Sequence, residues 1–302
     1  MEAIISKAAG LALMILAGYG LKRLGVFRQE DAKVLSRIVI NLTLPAALIG
    51  SFKTFRFDAG FLVLILIAAA GNLAMFFAGL WLSRKRDAPT QALYALNASS
   101  YNIGCFVLPF AQSFLPAEAL IGLSMFDAGN CPFNSGLSYT LVAAGAGGEQ
   151  ARPGFVLGRL ARSVPFMTYL ILMLLSVLNI RLPEFVYQTA ATVGGANTFL
   201  AMLMIGVLFD LQVEREDRKQ LTEILVLRYA GSLAMCVLIW LLPLPLLIRQ
   251  VSVLAMLAPI PSVSMVFCEK CGCKPSLYGV ANSLSLAVSL CLTFPMLILL
   301  QL

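Results

Sequence analysis

The side chains able to do chemistry in this chain are few, and they fall inside apolar runs. Asn97 and Asn102 lie in NASSYNIGCFVLPFAQSFLP (97–116), which also holds Gly104 and Pro109. Asp127, Asn130 and Asn134 follow at helical spacing, so one face of one helix carries all three. A second stretch, AMLAPIPSVSMVFCEKCGCKP (255–275), brings Pro259, Pro261, Ser262 and Ser264. Amides and hydroxyls of this kind bind ligands, and a lone carboxylate can exchange a proton or hold a cation. Catalysis needs more. The chain has no histidine, no G-x-S-x-G and no G-x-x-x-x-G-K-[ST] loop, and it places only one carboxylate in mid-run. Cys268, Cys271 and Cys273 form CxxCxC, but no histidine and no nearby fourth cysteine completes a ligand set. The expectation is a binding site with no catalytic residue, no metal and no cofactor.

The elements that position these residues must be broken helices. Pro259 and Pro261 each remove a backbone donor, so regular helix cannot run through Pro259-Ile260-Pro261. In the first stretch the break rests on Asn102, Gly104 and the serines. Irregular backbone at membrane depth is tolerated only where protein buries it or where it lines a wet cavity. Two such breaks in corresponding places of two halves point to a transporter binding site.

Composition supports a membrane setting. Of 302 residues, 60% are hydrophobic and 12% charged, and mean hydropathy is +0.88. Soluble domains carry roughly 25% charged residues. Ten apolar runs are long enough to cross a bilayer: 3–21, 34–52, 59–82, 91–115, 117–144, 155–180, 185–210, 221–248, 250–269 and 276–301.

The basic residues order these spans. With the N-terminus outside, the inner connections hold Lys22, Arg23, Arg28, Lys33 and Arg37, then Arg84, Lys85 and Arg86. They continue with Arg152, Arg159 and Arg162, then Arg215, Arg218, Lys219 and Arg228, then Lys270 and Lys274. The outer side keeps Lys7, Lys53, Arg56, Arg181 and Arg249. An inner excess of 17 among 22 basic residues satisfies the positive-inside rule and puts both termini outside. The net charge of +7 therefore sets topology, and no nucleic-acid partner is expected.

The glycine-rich segment 145–154 (GAGGEQARPG) joins five spans to five, which makes the second half inverted relative to the first. An offset of 159 residues lays Ser100 on Pro259, Asn102 on Pro261 and Leu115-Pro116 on Lys274-Pro275. Counting inward at 1.5 Å per residue puts Asn102, Asp127, Pro259 and Pro261 near the bilayer midplane. Asn41 and Pro45 in span 2, Asn72, Asn197, Asn282 and Ser285 are further midplane candidates for lining a cavity or joining helices.

These residues carry a resemblance. NLTLPAALIGSF (41–52) is similar to an N-L-x-L-P segment, Asn102–Pro109 to N-x-G-F-x-G-x-P, and Pro259–Phe267 to a proline-led ninth span. Leu203–Leu211 is similar to an I-G-x-x-L ending. The chain resembles, over almost its full length, the auxin efflux carrier family, which includes plant PIN auxin exporters and bacterial malate or malonate permeases. It departs from the pattern at Tyr101, Val107, Ser163-Val164 and Phe199. The resemblance implies an all-α polytopic fold of ten transmembrane helices in two inverted five-helix repeats (1–144 and 155–302, joined by a cytoplasmic 145–154). Helices 4 and 9 are broken and cross, as in bile acid/sodium symporters. Spans 1, 2, 6 and 7 would form a scaffold offering a homodimer surface, and spans 3–5 and 8–10 a transport domain. The expected function is elevator-type secondary transport of a small organic anion, auxin-like or a mono- or dicarboxylate, across a bacterial inner membrane. Asn102, Asn97, Asn41, Pro259, Pro261, Ser262 and Ser264 would bind it. Asp127 and Asn130 would serve coupling to H+ or Na+, or line the cavity, and Pro109 and Gly104 would shape the break. The alternative is a ligand sensor built on a transporter fold.

Overall fold

The computed structural model describes residues 2–53, 59–145, 153–209 and 215–299. Most of the linker 145–154, and with it Arg152, lies outside the described residues, as do Arg56 and the last three residues.

Every regular element among the described residues is helical. The helices are α1 (Glu2–Arg23), α2 (Asp31–Ile38), α3 (Leu44–Ser51), α4 (Leu62–Ser83), α5 (Ala88–Ala98), α6 (Leu108–Ala111), α7 (Ala117–Pro132) and α8 (Ser138–Gly145). They continue as α9 (Pro153–Ala161), α10 (Val164–Val177), α11 (Glu184–Gly195), α12 (Asn197–Leu208), α13 (Arg218–Leu241), α14 (Leu246–Met256), α15 (Val263–Lys270) and α16 (Pro275–Leu299). Five helical stretches are long and apolar enough to cross a membrane: Asp31–Ser51, Ala59–Ser83, Glu184–Leu208, Arg215–Leu241 and Pro275–Leu297.

Side-chain placement is that of a membrane protein. Leu66, Phe77 and Trp81 on α4, and Val226 and Leu238 on α13, face outward. Asn72, Asp127, Asn130, Arg228 and Asn282 are turned inward and buried. Apolar surface thus meets the lipid, and polar groups find partners inside the protein.

Two runs are interrupted where proline dictates it. The apolar run 221–248 is not one helix: α13 stops at Leu241, and Leu242–Pro245 separate it from α14. Pro243 and Pro245 supply no amide donors, and Leu242, ahead of Pro243, is extended at ψ 144°. Run 155–180 divides into α9 and α10 ahead of Pro165.

The helices pack in two groups. In one, α1 lies along α12, and α3 lies along α11. In the other, α4 packs between α5 and α7, and α13 packs against α5, α14 and α16. The α1–α12 contact depends on paired glycines. A Cβ on Gly206 would stand 2.0 Å from the Ile15 carbonyl oxygen, and one on Gly18 would stand 2.2 Å from that of Leu203. Both obstacles are backbone, which cannot rotate away, so the helices meet at a distance only glycine permits.

Gly206→Val should therefore destabilise the protein by about 1–3 kcal/mol or more through overpacking. Gly20→Ala, where a Cβ meets nothing within 4 Å, should leave the melting temperature in detergent unchanged or slightly higher. Equal melting of the two variants would refute the close contact.

Candidate functional site

The first break opens at the end of α5. Ser99 is extended (φ −79°, ψ 166°), Ser100 takes a positive φ of 68°, and Asn102 leaves helical space at ψ 69°. The chain then re-enters helix through a π-helical turn, Ile103–Val107, before α6. The second break follows α14, over Leu257–Ser262, where Pro259 and Pro261 withhold two donors. The breaks touch: the Asn102 amide donates to the Pro259 carbonyl at 3.1 Å.

One side chain ties them together. Arg228 of α13 is fully buried. Its Nη1 donates to the carbonyls of Asn97 (2.9 Å) and Ala98 (3.1 Å) at the C-terminus of α5. Its Nη2 donates to Ser100 (2.8 Å), Ala258 (2.9 Å) and Pro259 (3.1 Å). The guanidinium also lies over the Tyr101 ring, 5.3 Å from its centroid. Five carbonyls freed by two breaks thus converge on one cation, the partner that helix C-termini favour. The sequence reading counted Arg228 among the inner connections; that was a misplacement. It lies ten residues into α13, and its charge belongs to the core.

Further backbone groups of each break are met by polar side chains of neighbouring helices. Tyr101 donates its N–H to Asn130 Oδ1 (3.0 Å) on α7, and its carbonyl accepts from Asn130 Nδ2 (2.7 Å). Asn134 Nδ2 also reaches that carbonyl at 3.2 Å. The Ser100 N–H donates to Asn72 Oδ1 at 2.7 Å. In the second break, Ile260 donates its N–H to Ser285 Oγ (3.0 Å) on α16, and its carbonyl accepts from Asn282 Nδ2 (2.8 Å). The offset of 159 residues that pairs the two sequence stretches lays Tyr101 on Ile260.

Asp127 lies beside this network and is 5% exposed. Its Oδ1 accepts from Asn130 Nδ2 at 2.9 Å, and its Oδ2 accepts from the Tyr169 hydroxyl of α10 at 2.8 Å. Gly104 passes over it, since a Cβ there would stand 3.7 Å from Asp127 Oδ2. The unwound segment Ser100–Asn102 is thus held through Arg228 on one side and through Asn130, with Asp127 behind it, on the other.

The structure brings most of the sequence candidates to this crossing. Asn97 is buried in α5, donating to Leu93 O at 2.7 Å and to Cys268 Sγ at 3.4 Å. Ser264 donates to Leu96 O at 3.2 Å, joining α15 to α5. Pro261 accepts from the Ser264 amide at 2.9 Å. Among the described residues, the Asn102 side-chain amide and the Ser262 hydroxyl have no hydrogen-bond partner; Asn102 is 7% exposed, and Ser262 is partly exposed. Pro109 lies further along α6 and accepts from the Thr198 hydroxyl of α12 at 2.8 Å. Asn41 is not brought to the crossing. It is exposed and bonds its own helix at Arg37 O (2.9 Å). Thr43, two residues on, is the buried one and donates to Asn197 Oδ1 at 2.9 Å. Sequence reasoning also passed over Tyr169, whose only signal was a hydroxyl in an apolar run.

Arg228→Met would strand four buried carbonyls, Pro259 keeping the Asn102 amide, and should cost about 3–5 kcal/mol, the usual loss when one partner of a buried charged network is removed. Asn130→Ala should cost about 1–2 kcal/mol. Arg228→Lys should fall between wild type and Arg228→Met, because an ammonium reaches fewer acceptors. Unfolding in detergent measures all three, and a neutral Arg228→Met would contradict the described network.

Comparison with known proteins bears on the same region. The model of the membrane transport protein family matches residues 3–149, which include the first break, Asp127 and Asn130. An uncharacterized transporter of Methanothermobacter thermautotrophicus is 31% identical over 147 residues, covering 46% of this chain and 47% of the relative. The match therefore spans about half the length of that relative. This family is one of transporters, not of enzymes. Over residues 3–149, with its first broken helix and buried carboxylate, the chain is similar to the membrane transport protein family.

Proposed function

We propose that this protein is a secondary transporter that binds a small organic anion, auxin-like or a mono- or dicarboxylate, where its two broken helices cross. The observation that carries this reading is the direct contact of the breaks, Asn102 N–H to Pro259 O, with uncommitted polar groups of Asn102 and Ser262 beside it. α15 begins at Val263, immediately after the second break, and a helix N-terminus suits a carboxylate. The buried positive charge of Arg228 favours an anion over a cation at the same place.

In this reading the chain crosses the inner membrane ten times, as two inverted repeats, with both termini outside. The matched treatment of Tyr101 and Ile260, each by polar side chains of the following helix, supports the repeat. The packing group holding α1, α3, α11 and α12 would be the scaffold and the dimer surface. The group holding α4, α5, α7, α13, α14 and α16 would move as an elevator. The polar contacts that such movement must exchange include Tyr169 to Asp127, Thr198 to Pro109 O, and Asn197 to Gln112 (2.9 Å), beside apolar packing of α3 on α7. Asp127 is the coupling group of this scheme. It would take up H+ or Na+ and thereby change its bond to Tyr169 across the moving boundary.

Purified protein in proteoliposomes should take up one carboxylate from a panel including indole-3-acetate, saturably and faster under a pH or sodium gradient. Asp127→Asn should keep saturable uptake but lose about tenfold of the gradient-driven rate, on the order of 1.4 kcal/mol. Unchanged stimulation in the variant would discard Asp127 as the coupling group. Absence of uptake or counterflow for every anion, with folded protein, would overturn the anion assignment.

A further inference from the structure

The CxxCxC motif has a defined geometry. α15 ends in a Schellman turn: the Cys273 N–H donates to Cys268 O (3.0 Å), the Gly272 N–H donates to Glu269 O (3.0 Å), and Gly272 takes the left-handed φ of 71°. This motif sets the side chain three residues before the helix cap against the one two residues after it, usually as an apolar contact. Here both are cysteines, and their thiols hydrogen-bond to each other. Cys271 lies between them in sequence but outside the pair, and partial burial pushes its thiol up to about 11. Cys273 is different: the hydrogen bond from the Cys268 thiol outweighs its burial and holds it below the ordinary thiol value. Cys268 has no exposed surface and Cys273 keeps 6%, so an oxidant from outside reaches Cys273 first.

We propose that Cys268 and Cys273 are a redox-active dithiol that closes to a reversible disulfide with a low-molecular-weight disulfide as oxidant. The Cys273 thiolate attacks one sulfur of R–S–S–R, and the departing RS⁻ takes up a proton. Cys268, losing its proton, then attacks the Cys273 sulfur of the mixed disulfide and expels the second RSH. The protein loses two electrons, and the oxidant becomes two thiols.

The pair adjoins the crossing. The Cys273 thiol donates to Pro89 O at 3.3 Å, and Cys268 Sγ accepts from Asn97 Nδ2 at 3.4 Å. Both partners belong to α5, the helix that leads into the first break. Oxidation removes the thiol donor and redirects both sulfurs to each other, so it loosens the seam between α15 and α5. The inner connections assigned by the basic residues include Lys270 and Lys274, which puts the dithiol on the reducing side. Disulfides there are characteristically transient and redox-sensing.

The full-length protein in nanodiscs is treated with excess oxidised glutathione, alkylated and digested with trypsin. Cleavage after Lys270 separates Cys268 from Cys273 but leaves Cys271 and Cys273 together. The expected product is a dithiothreitol-sensitive pair of peptides joined through Cys268 and Cys273, with Cys271 alkylated. It should persist in Cys271→Ser and vanish in Cys273→Ser. Deuterium uptake over residues 88–98 should rise about twofold or more on oxidation and revert on reduction. A link through Cys271, a stable glutathione adduct without an internal bond, unmodified thiols, or unchanged exchange at α5 would each overturn the proposal. Neither readout needs a known substrate, so its failure is separate from failure of the transport reading.

Discussion

A helix broken inside a membrane leaves carbonyls and amides that water cannot reach, each costing several kcal/mol if unmet. Here five of those carbonyls are met by one guanidinium, and the rest of the inner structure follows from that. Arg228 must be fully buried for its two terminal nitrogens to reach Asn97, Ala98, Ser100, Ala258 and Pro259. That requires α13 to lie against both breaks, which fixes the packing of α5, α14 and α16 around it. The cation is stabilised by carbonyl dipoles at the end of a helix instead of by a carboxylate, so its charge is not cancelled where the chains cross.

The amides are handled separately. Asn130 offers Tyr101 both an acceptor and a donor, as a neighbouring strand would, and Ser285 with Asn282 does the same for Ile260. One residue in each break is thus pinned on both its polar groups, while Asn102 and Ser262 keep polar side chains to spare. A rigid frame with a few free ends is what preorganised binding needs.

Much of this was legible in the sequence because proline and asparagine cannot be indifferent in an apolar run. Pro259-Ile260-Pro261 announced the second break, and Asn130, Asn134, Asn72, Asn282 and Ser285 all proved to serve the breaks. The first break was harder to place, since it uses no proline: Ser100 turns through φ 68° under the hold of Asn72 and Arg228. Arg228 itself was hidden by its position near the start of a span, where basic residues ordinarily anchor in loops. Only its depth, ten residues into α13, distinguishes it from Arg218. The exchange of Asn41 for Thr43 has a different cause. The depth of Asn41 in span 2 and its place in N-L-x-L-P do not say which way a side chain faces, and the π turn Val39–Thr43 turns Asn41 outward and Thr43 inward.

That wider turn has a consequence for how such chains are compared. In it the Leu44 amide bonds Val39, five residues back, and in Ile103–Val107 the Leu108 amide does the same to Ile103. A π turn holds one residue more than an α turn, and a residue is worth about 100° of rotation. Deleting one residue from Val39–Thr43 would let an ordinary α turn close there and leave the faces beyond it in place, because the π turn absorbs the extra residue. Homologues with straight helices here should therefore align to this chain with single-residue gaps inside membrane-spanning segments, where gaps are not normally admitted.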